Sequence, residues 1–223
     1  MTTIPPHLFQ QSRLLPGYQR DWPAYFDAVK DQPPRDTLLR ALRESTATPL
    51  PDKWLAIDIA CGEGRDTRAI LAASPAAQVL AIDNAPEALA RLRNSLSAQD
   101  SQRVTIADWP MEHIPTEAKV TPNSAALINA SFALPFCHED HFPTLWQWIT
   151  TTLKPAGYFA GQIFGDRDDW ANDNLRRHFS RAQVESLLAP FKIIFLDEVE
   201  KDAKDAMGGV KHYHIFHIVA QKR

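Results

Sequence analysis

From residue 54 to residue 164 the sequence alternates short apolar runs with helix-patterned ones, and that alternation leaves few folds open. "WLAIDIA" (54–60), "QVLAIDNA" (78–85), "VTIAD" (104–108), "SAALINA" (124–130) and "GYFAGQIF" (157–164) are β-prone and mostly apolar. A strand with one wet face would alternate polar and apolar residues. A near-continuous apolar run instead expects cover on both faces. "RDTRAILAAS" (65–74), "PEALARLRNSL" (86–96) and "HFPTLWQWITTTL" (141–153) lie between the runs and read as helices. Pro86 suits a first helical position. Strand–helix alternation of this kind predicts an α/β chain built on a parallel sheet.

The two ends break the rhythm. "SRAQVESLLAPF" (180–191) reads as a capped helix, followed by strands "KIIFLDEVE" (192–200) and "VKHYHIFHIVAQ" (210–221). The nine residues between these strands are too few for a helical crossover, so the pair is expected to be antiparallel. The sum is a doubly wound, mostly parallel, seven-stranded Rossmann-like sheet with an antiparallel last strand. At the start, residues 1–20 are Pro-rich. "DWPAYFDAVK" (21–30) and "DTLLRALRES" (36–45) then read as short helices, with Asp21 and Asp36 as caps. Residues 1–50 are expected to form an N-terminal helical cap, and 51–223 the sheet domain.

A chain of 223 residues suits one domain with a small cap. A formal net charge of -3 supplies no general field for nucleic acid or an anionic membrane. Cys61 and Cys137 form no CxxC pair, so neither a zinc framework nor a disulfide scaffold is expected. Residues 1–22 carry no basic n-region and no apolar h-region, and no stretch nears the ~20 apolar residues of a membrane span. The cytoplasm is the simplest compartment.

The first strand ends in "DIACGEGRDT" (58–67), a Gly-x-Gly turn leading into a helix. Such a turn in that place usually receives a nucleotide, and three classes compete. A dinucleotide site wants a third small residue for close helix packing, where this chain has Thr67. A P-loop wants Lys followed by Ser or Thr, and the stretch has neither. An adenosyl ligand without phosphate needs glycines for close approach and an acid ending the second strand for the ribose hydroxyls. Asp83 ends "VLAID". Asp108, beside Trp109, ends the third strand, where an acid can meet an adenine amine. With Asp58, the chain has three acids at the carboxyl ends of successive strands, which line one crevice in a parallel sheet.

These residues resemble motif I of class I S-adenosylmethionine-dependent methyltransferases, a hydrophobic–Asp–x–Gly–x–Gly–x–Gly run, over roughly residues 50–223. "ACGEGR" and "NASFALPF" look most like the small-molecule and tellurite-resistance-like branch. The departure is Ala60, at the position of the first Gly. The resemblance implies that Asp58 orients the loop and the ligand's amino group. Ala60, Cys61, Gly62 and Gly64 would line the methionine moiety. Asp83 with Asn84 would hold the ribose, and Asp108 with Trp109 the adenine. Asn129, Ala130 and Ser131 would face the sulfonium. The implied cofactor is S-adenosyl-L-methionine, and the implied reaction is methyl transfer to a small-molecule acceptor by a monomer or homodimer. The alternatives are an NAD(P)-dependent oxidoreductase and a catalytically silent cofactor-binding subunit.

The remaining features weigh less. "LPFC" places Cys137 past strand four, unlike a Pro-Cys nucleophile. "NASF" stands where nucleobase amine methylases carry Asn/Asp-Pro-Pro-aromatic. No second acid flanks Asn129, so no catalytic metal is expected. "KHYHIFH" (211–217) puts His212 and His214 on one strand face and His217 on the other. The plain account is an edge strand with a polar, aromatic outer face. "GDRDDW" (165–170) is a loop at the ligand end of the sheet, read equally as acceptor contact or as solvated. His138, His141, His212 and His214 are candidate bases with no geometry to select among them. The acceptor pocket is expected between the cap and the ends of strands four and five. It would draw on Tyr18, Trp22, Tyr25 and Phe26, on Phe132, Phe136 and Trp170, and on Arg35 for a carboxylate of cofactor or acceptor.

Overall fold

A computed structural model describes residues 22–46, 52–172, 176–205 and 208–223. Among these, eight strands form one sheet: β1 (Trp54–Ile59), β2 (Ala77–Asp83), β3 (Val104–Asp108), β4 (Ala125–Ala130), β5 (Leu153–Gly165), β6 (His178–Phe179), β7 (Phe191–Lys204) and β8 (Val210–Lys222). The α-helices are α1 (Trp22–Val29), α2 (Asp36–Thr46), α3 (Arg65–Ala73), α4 (Pro86–Ser95), α5 (Ala98–Ser101), α6 (Ile114–Glu117), α7 (Phe142–Thr152) and α8 (Arg181–Leu187).

The strand order is β3-β2-β1-β4-β5-β8-β7, with the two-residue β6 paired to the end of β5. The pairs β5–β8 and β8–β7 are antiparallel, and the other pairs are parallel. The chain moves outward from β1 through β2 and β3, then returns to the other side of β1 as β4. In open α/β sheets, ligands bind outside such a switch point, here at the carboxyl ends of β1 and β4.

Alternate residues of each strand feed two cores. Ile57, Ile82, Ile128, Phe159 and Phe216 pack with Phe142, Leu145 and Ile149 of α7 and with Val184. Ala56, Val79, Ala81, Leu127 and Ala160 pack with Leu38, Ala41 and Leu42 of α2, Ile70 and Leu71 of α3, and Leu89 and Leu92 of α4. The second face is rich in alanine, which lets these helices lie close to the sheet. Burial on both faces is why the strands read as unbroken apolar runs.

Local signals explain the element ends. Ser180 and Gln183 form a capping box at α8, and Pro86 opens α4. The elements that the sequence pattern does not announce are short: α5, α6 and β6 have four residues or fewer. The terminal strand pair corrects one expectation. "KHYHIFH" does not form an edge, because β8 lies between β5 and β7. Its second half, Phe216 to Ala220, feeds both cores and is interior in character. The edge is β7, whose Lys192, Asp197, Glu200, Asp202 and Lys204 are exposed charges, a common defence of an open edge.

Candidate functional site

The turn after β1 is built on left-handed backbone. Ala60, Gly62 and Gly64 have φ of 54°, 57° and 84°. At Gly64 the reason is packing: a Cβ there would lie 2.2 Å from Leu92 Cδ1. At Gly62 a Cβ would lie 3.4 Å from Phe26 Cε1, so α1 lays its buried ring over the turn.

Asp83 ties the turn to β2. Its Oδ2 accepts the Gly62 N–H at 2.8 Å and its Oδ1 accepts the Ala85 N–H at 2.9 Å. Burial raises the Asp83 pKa, and the N–H groups of Ala85, Gly62 and Asn84 oppose that rise. Asp108 sits opposite Asp83 in register and is exposed. The Trp109 N–H donates to the Asp83 carbonyl at 3.0 Å, while its side chain packs on the core.

Asp58 lies beneath the turn, fully buried. It accepts the Thr67 hydroxyl at 2.6 Å and the Asn129 amide at 2.8 Å. The same amide nitrogen lies 3.2 Å from Asp66 Oδ2. Burial first, then the nearby Asp66, push the Asp58 carboxyl up to about 7. Thr67 is therefore the partner of Asp58 as well as a departure from the dinucleotide fingerprint. The Asn129 side chain is directed inward, and its Oδ1 accepts the Ser131 hydroxyl at 3.1 Å. Ala130 is buried and Ser131 is partly exposed.

Helix α2 and the residue before it are tied to the neighbouring elements by two bonds. The Arg35 N–H donates to Asp66 Oδ1 at 3.1 Å. Gln162 Nε2 donates to Thr37 Oγ1 at 2.8 Å, and Gln162 Oε1 accepts the Phe132 N–H at 3.1 Å. Phe132 has a φ of 52°, so this bond secures a backbone conformation that a bulky residue seldom adopts.

Three of the aromatic residues expected at the acceptor pocket converge on one ring, while Tyr25 and Phe26 meet each other. Phe132, Phe136 and Trp170 lie 6.2, 6.2 and 5.7 Å from the buried Phe164. Arg35 stands over Phe132 at 4.6 Å and hydrogen-bonds Tyr25. Lys211 and Arg176 flank Trp170 at 3.5 and 3.9 Å. Tyr18 and the side chain of Trp22 lie outside the described residues. His217, which is not among the expected acceptor residues, meets the Phe132 ring edge-on at 6.3 Å. Only its strand parity, opposite to His214, signalled that it faces the other way.

The histidines named as bases sit elsewhere in the contact network. His138 and His141 are exposed and pack on each other at 6.0 Å. His212 bonds Asp202 and Glu200, which raise its pKa. His214 is fully buried, with Nδ1 accepting the Arg167 N–H at 3.1 Å and Nε2 lying 2.9 Å from Glu198. In "GDRDDW", Asp168 is a structural hub that holds Lys211, the Trp170 N–H and the His214 N–H. Cys137 is buried, and burial pushes its thiol up to about 12. Among the described residues, no group of three or more His, Cys, Asp or Glu is placed to hold a metal ion. No described helix is long and apolar enough to cross a membrane.

Comparison with known proteins places this geometry. Residues 56–157 match the sequence family described as Methyltransferase domain. The trans-aconitate 2-methyltransferase of Klebsiella pneumoniae is 30% identical over 145 residues, covering 65% of this chain and 49% of that protein. Its namesake from Methylobacterium radiotolerans is 32% identical over 144 residues, covering 64% and 49%. The chain thus spans about half the length of these curated relatives. Among solved structures, TehB from Haemophilus influenzae superposes with a TM-score of 0.66 at 13% identity, over 89% of this chain and 66% of that one. An S-adenosylmethionine-dependent methyltransferase from Mesorhizobium loti gives 0.59 at 17% identity, over 83% and 98%. At such identities the likeness is one of fold. The chain thus shares its fold with these methyltransferases, and its residues 56–157 resemble the Methyltransferase domain family.

Proposed function

We propose that this class I domain transfers a methyl group from S-adenosylmethionine to a small-molecule acceptor. One observation carries the reading. Asp83 closes the Gly turn through the Gly62 and Ala85 N–H groups, and it sits at the mouth of the crevice beside Asp108. A carboxylate at that place suits two ribose hydroxyls, and each of its oxygens retains a further lone pair for them.

The residues fit the cofactor's chemistry. No Lys follows the turn to balance a phosphate. Asp58, Ala60, Cys61, Gly62 and Gly64 would hold the methionine end, Asp83 and Asn84 the ribose, and Asp108 and Trp109 the adenine. Ser131, with Asn129 and Ala130 behind it, would stand toward the sulfur. When bound, the sulfonium supplies an electrophilic methyl and a thioether leaving group that needs no proton. The protein's part is then alignment and exclusion of water, with Phe26 over the turn and Phe132, Phe136 and Trp170 walling the acceptor side.

Of the expected 1–50 cap, α1 covers the turn through Phe26 in the proposal, while α2 packs on the sheet face and residues 1–21 lie outside the described residues. The curated relatives are named for methylating trans-aconitate, which supports a small acceptor for this chain too. Asp83→Ala should weaken S-adenosylhomocysteine binding by more than about tenfold, the scale of losing hydrogen bonds to a charged group. An unchanged dissociation constant by calorimetry would remove the ribose role.

A further inference from the structure

Three elements meet at the Phe132 ring: the start of α2 through Arg35, the turn after β4 through Phe132 itself, and β8 through His217. The arrangement is costly. Phe132 is held in left-handed backbone, and Gln162 of β5 secures it. Gln162 and His217 are opposite each other in register, so they share a sheet face. His217 is partly buried, and its ring makes no hydrogen bond among the described residues.

The local charge is also unbalanced. Arg35 and Arg65 lie close enough to repel, and burial together with Arg65 lowers the Arg35 pKa. Among the described residues, Arg35 Nε, Arg65 Nε and Arg65 Nη1 are buried without an acceptor at hydrogen-bond distance. The nearby acid, Asp66, lies 3.8 Å from Arg65 Nε and also accepts the Arg35 N–H and the Asn129 amide. Tyr25 bonds the Arg35 side chain, so one carboxylate is shared by two guanidinium groups. Buried donors without acceptors are costly unless something fills them in the working protein. The group that matches a planar guanidinium fork with an apolar wall beside it is a carboxylate.

We propose that Arg35 and His217, set against the Phe132 ring, form the seat for a carboxylate of the methyl acceptor. This rests on the methyl-transfer reading above. The acceptor is then an organic acid whose apolar or unsaturated stem lies along Phe132 and Phe164. Arg35 supplies the charge and His217 one further N–H. The charged groups facing His217 are Arg35 and Asp36 from α2, and Asp197 and Lys201 from β7. Burial lowers the His217 pKa, and a carboxylate beside it raises it again, so binding takes up protons and strengthens as pH falls.

The same chemistry could serve the cofactor's own carboxylate, and the experiment separates the two. Wild-type protein is saturated with S-adenosylhomocysteine and titrated calorimetrically with trans-aconitate, citrate and benzoate. At least one should bind. Arg35→Met should weaken that binding about tenfold or more, and Arg35→Lys by less, because it keeps the charge but not the fork. His217→Gln should weaken it and flatten its pH dependence. In all three variants S-adenosylhomocysteine affinity should stay within about twofold of wild type, which also reports that the variants fold. Binding of none of the three acids to the wild-type complex overturns the proposal. So does an equal loss of S-adenosylhomocysteine affinity in Arg35→Met, which would assign Arg35 to the cofactor. Failure of S-adenosylhomocysteine to bind wild-type protein would instead strike the methyl-transfer reading.

Discussion

The Asn129 amide nitrogen bridges two buried acids, 2.8 Å from Asp58 Oδ1 and 3.2 Å from Asp66 Oδ2. Removing it leaves the carboxyls facing each other without a donor between them. Asn129→Leu, similar in size but without the amide, should lower stability by roughly 3 kcal/mol, as expected for orphaned buried acceptors. Urea unfolding monitored by fluorescence measures the loss.

Asp58 also gives stability a pH dependence. Its folded pKa, about 7, lies above that of an exposed aspartate, so the folded state binds more protons than the unfolded state between these values. Its contribution is therefore complete below the unfolded pKa of about 4 and is lost as pH rises through about 7. Melting temperatures from pH 4 to 7.5 should show a falling component that Asp58→Asn removes. Identical slopes in the two proteins would contradict the burial argument.

Two glycines with similar backbone separate strain from crowding. Gly64 (φ 84°) faces Leu92, whereas Gly208 (φ 88°) has no atom within 4 Å of where a Cβ would stand. Gly208→Ala should cost only the left-handed penalty, about 1–2 kcal/mol. Gly64→Ala should cost more, and Leu92→Ala in the same chain should not add its full separate cost, because it relieves the clash. Chemical denaturation of the four variants tests this.

Lys211 and Asp168 form a buried ion pair behind Trp170. Lys211→Met leaves the Asp168 charge uncompensated and should cost about 3–5 kcal/mol. The double variant Lys211→Met with Asp168→Asn should recover part of that loss. A single variant as stable as wild type would show that the pair does not hold this loop.

The sheet was legible because its signal is local. Strands buried on both faces must be apolar throughout, and a nine-residue connection cannot make a crossover, so the antiparallel pair followed from chain length alone. Loop length does not say on which side of its partner the last strand lies, and β8 was misplaced at the edge. The Gly turn and Asp83 were legible because motif and strand end coincide. Asp66, Thr37, Gln162 and His217 were not. Gln162 meets Thr37 across 125 residues of sequence, and Asn129 meets Asp66 across 63, separations at which no periodicity links partners. Thr67 was visible but read only for what it lacked. Its hydroxyl gains meaning from Asp58, nine residues earlier, once the turn has folded.

The central claim is that the turn after β1 receives an adenosyl ligand carrying methionine rather than a dinucleotide. Isothermal titration with S-adenosylhomocysteine and, separately, NADH tests it most directly. The account predicts saturable one-to-one binding of S-adenosylhomocysteine, weakened in Asp83→Ala, and no saturable binding of NADH. Binding of NADH alone would contradict it.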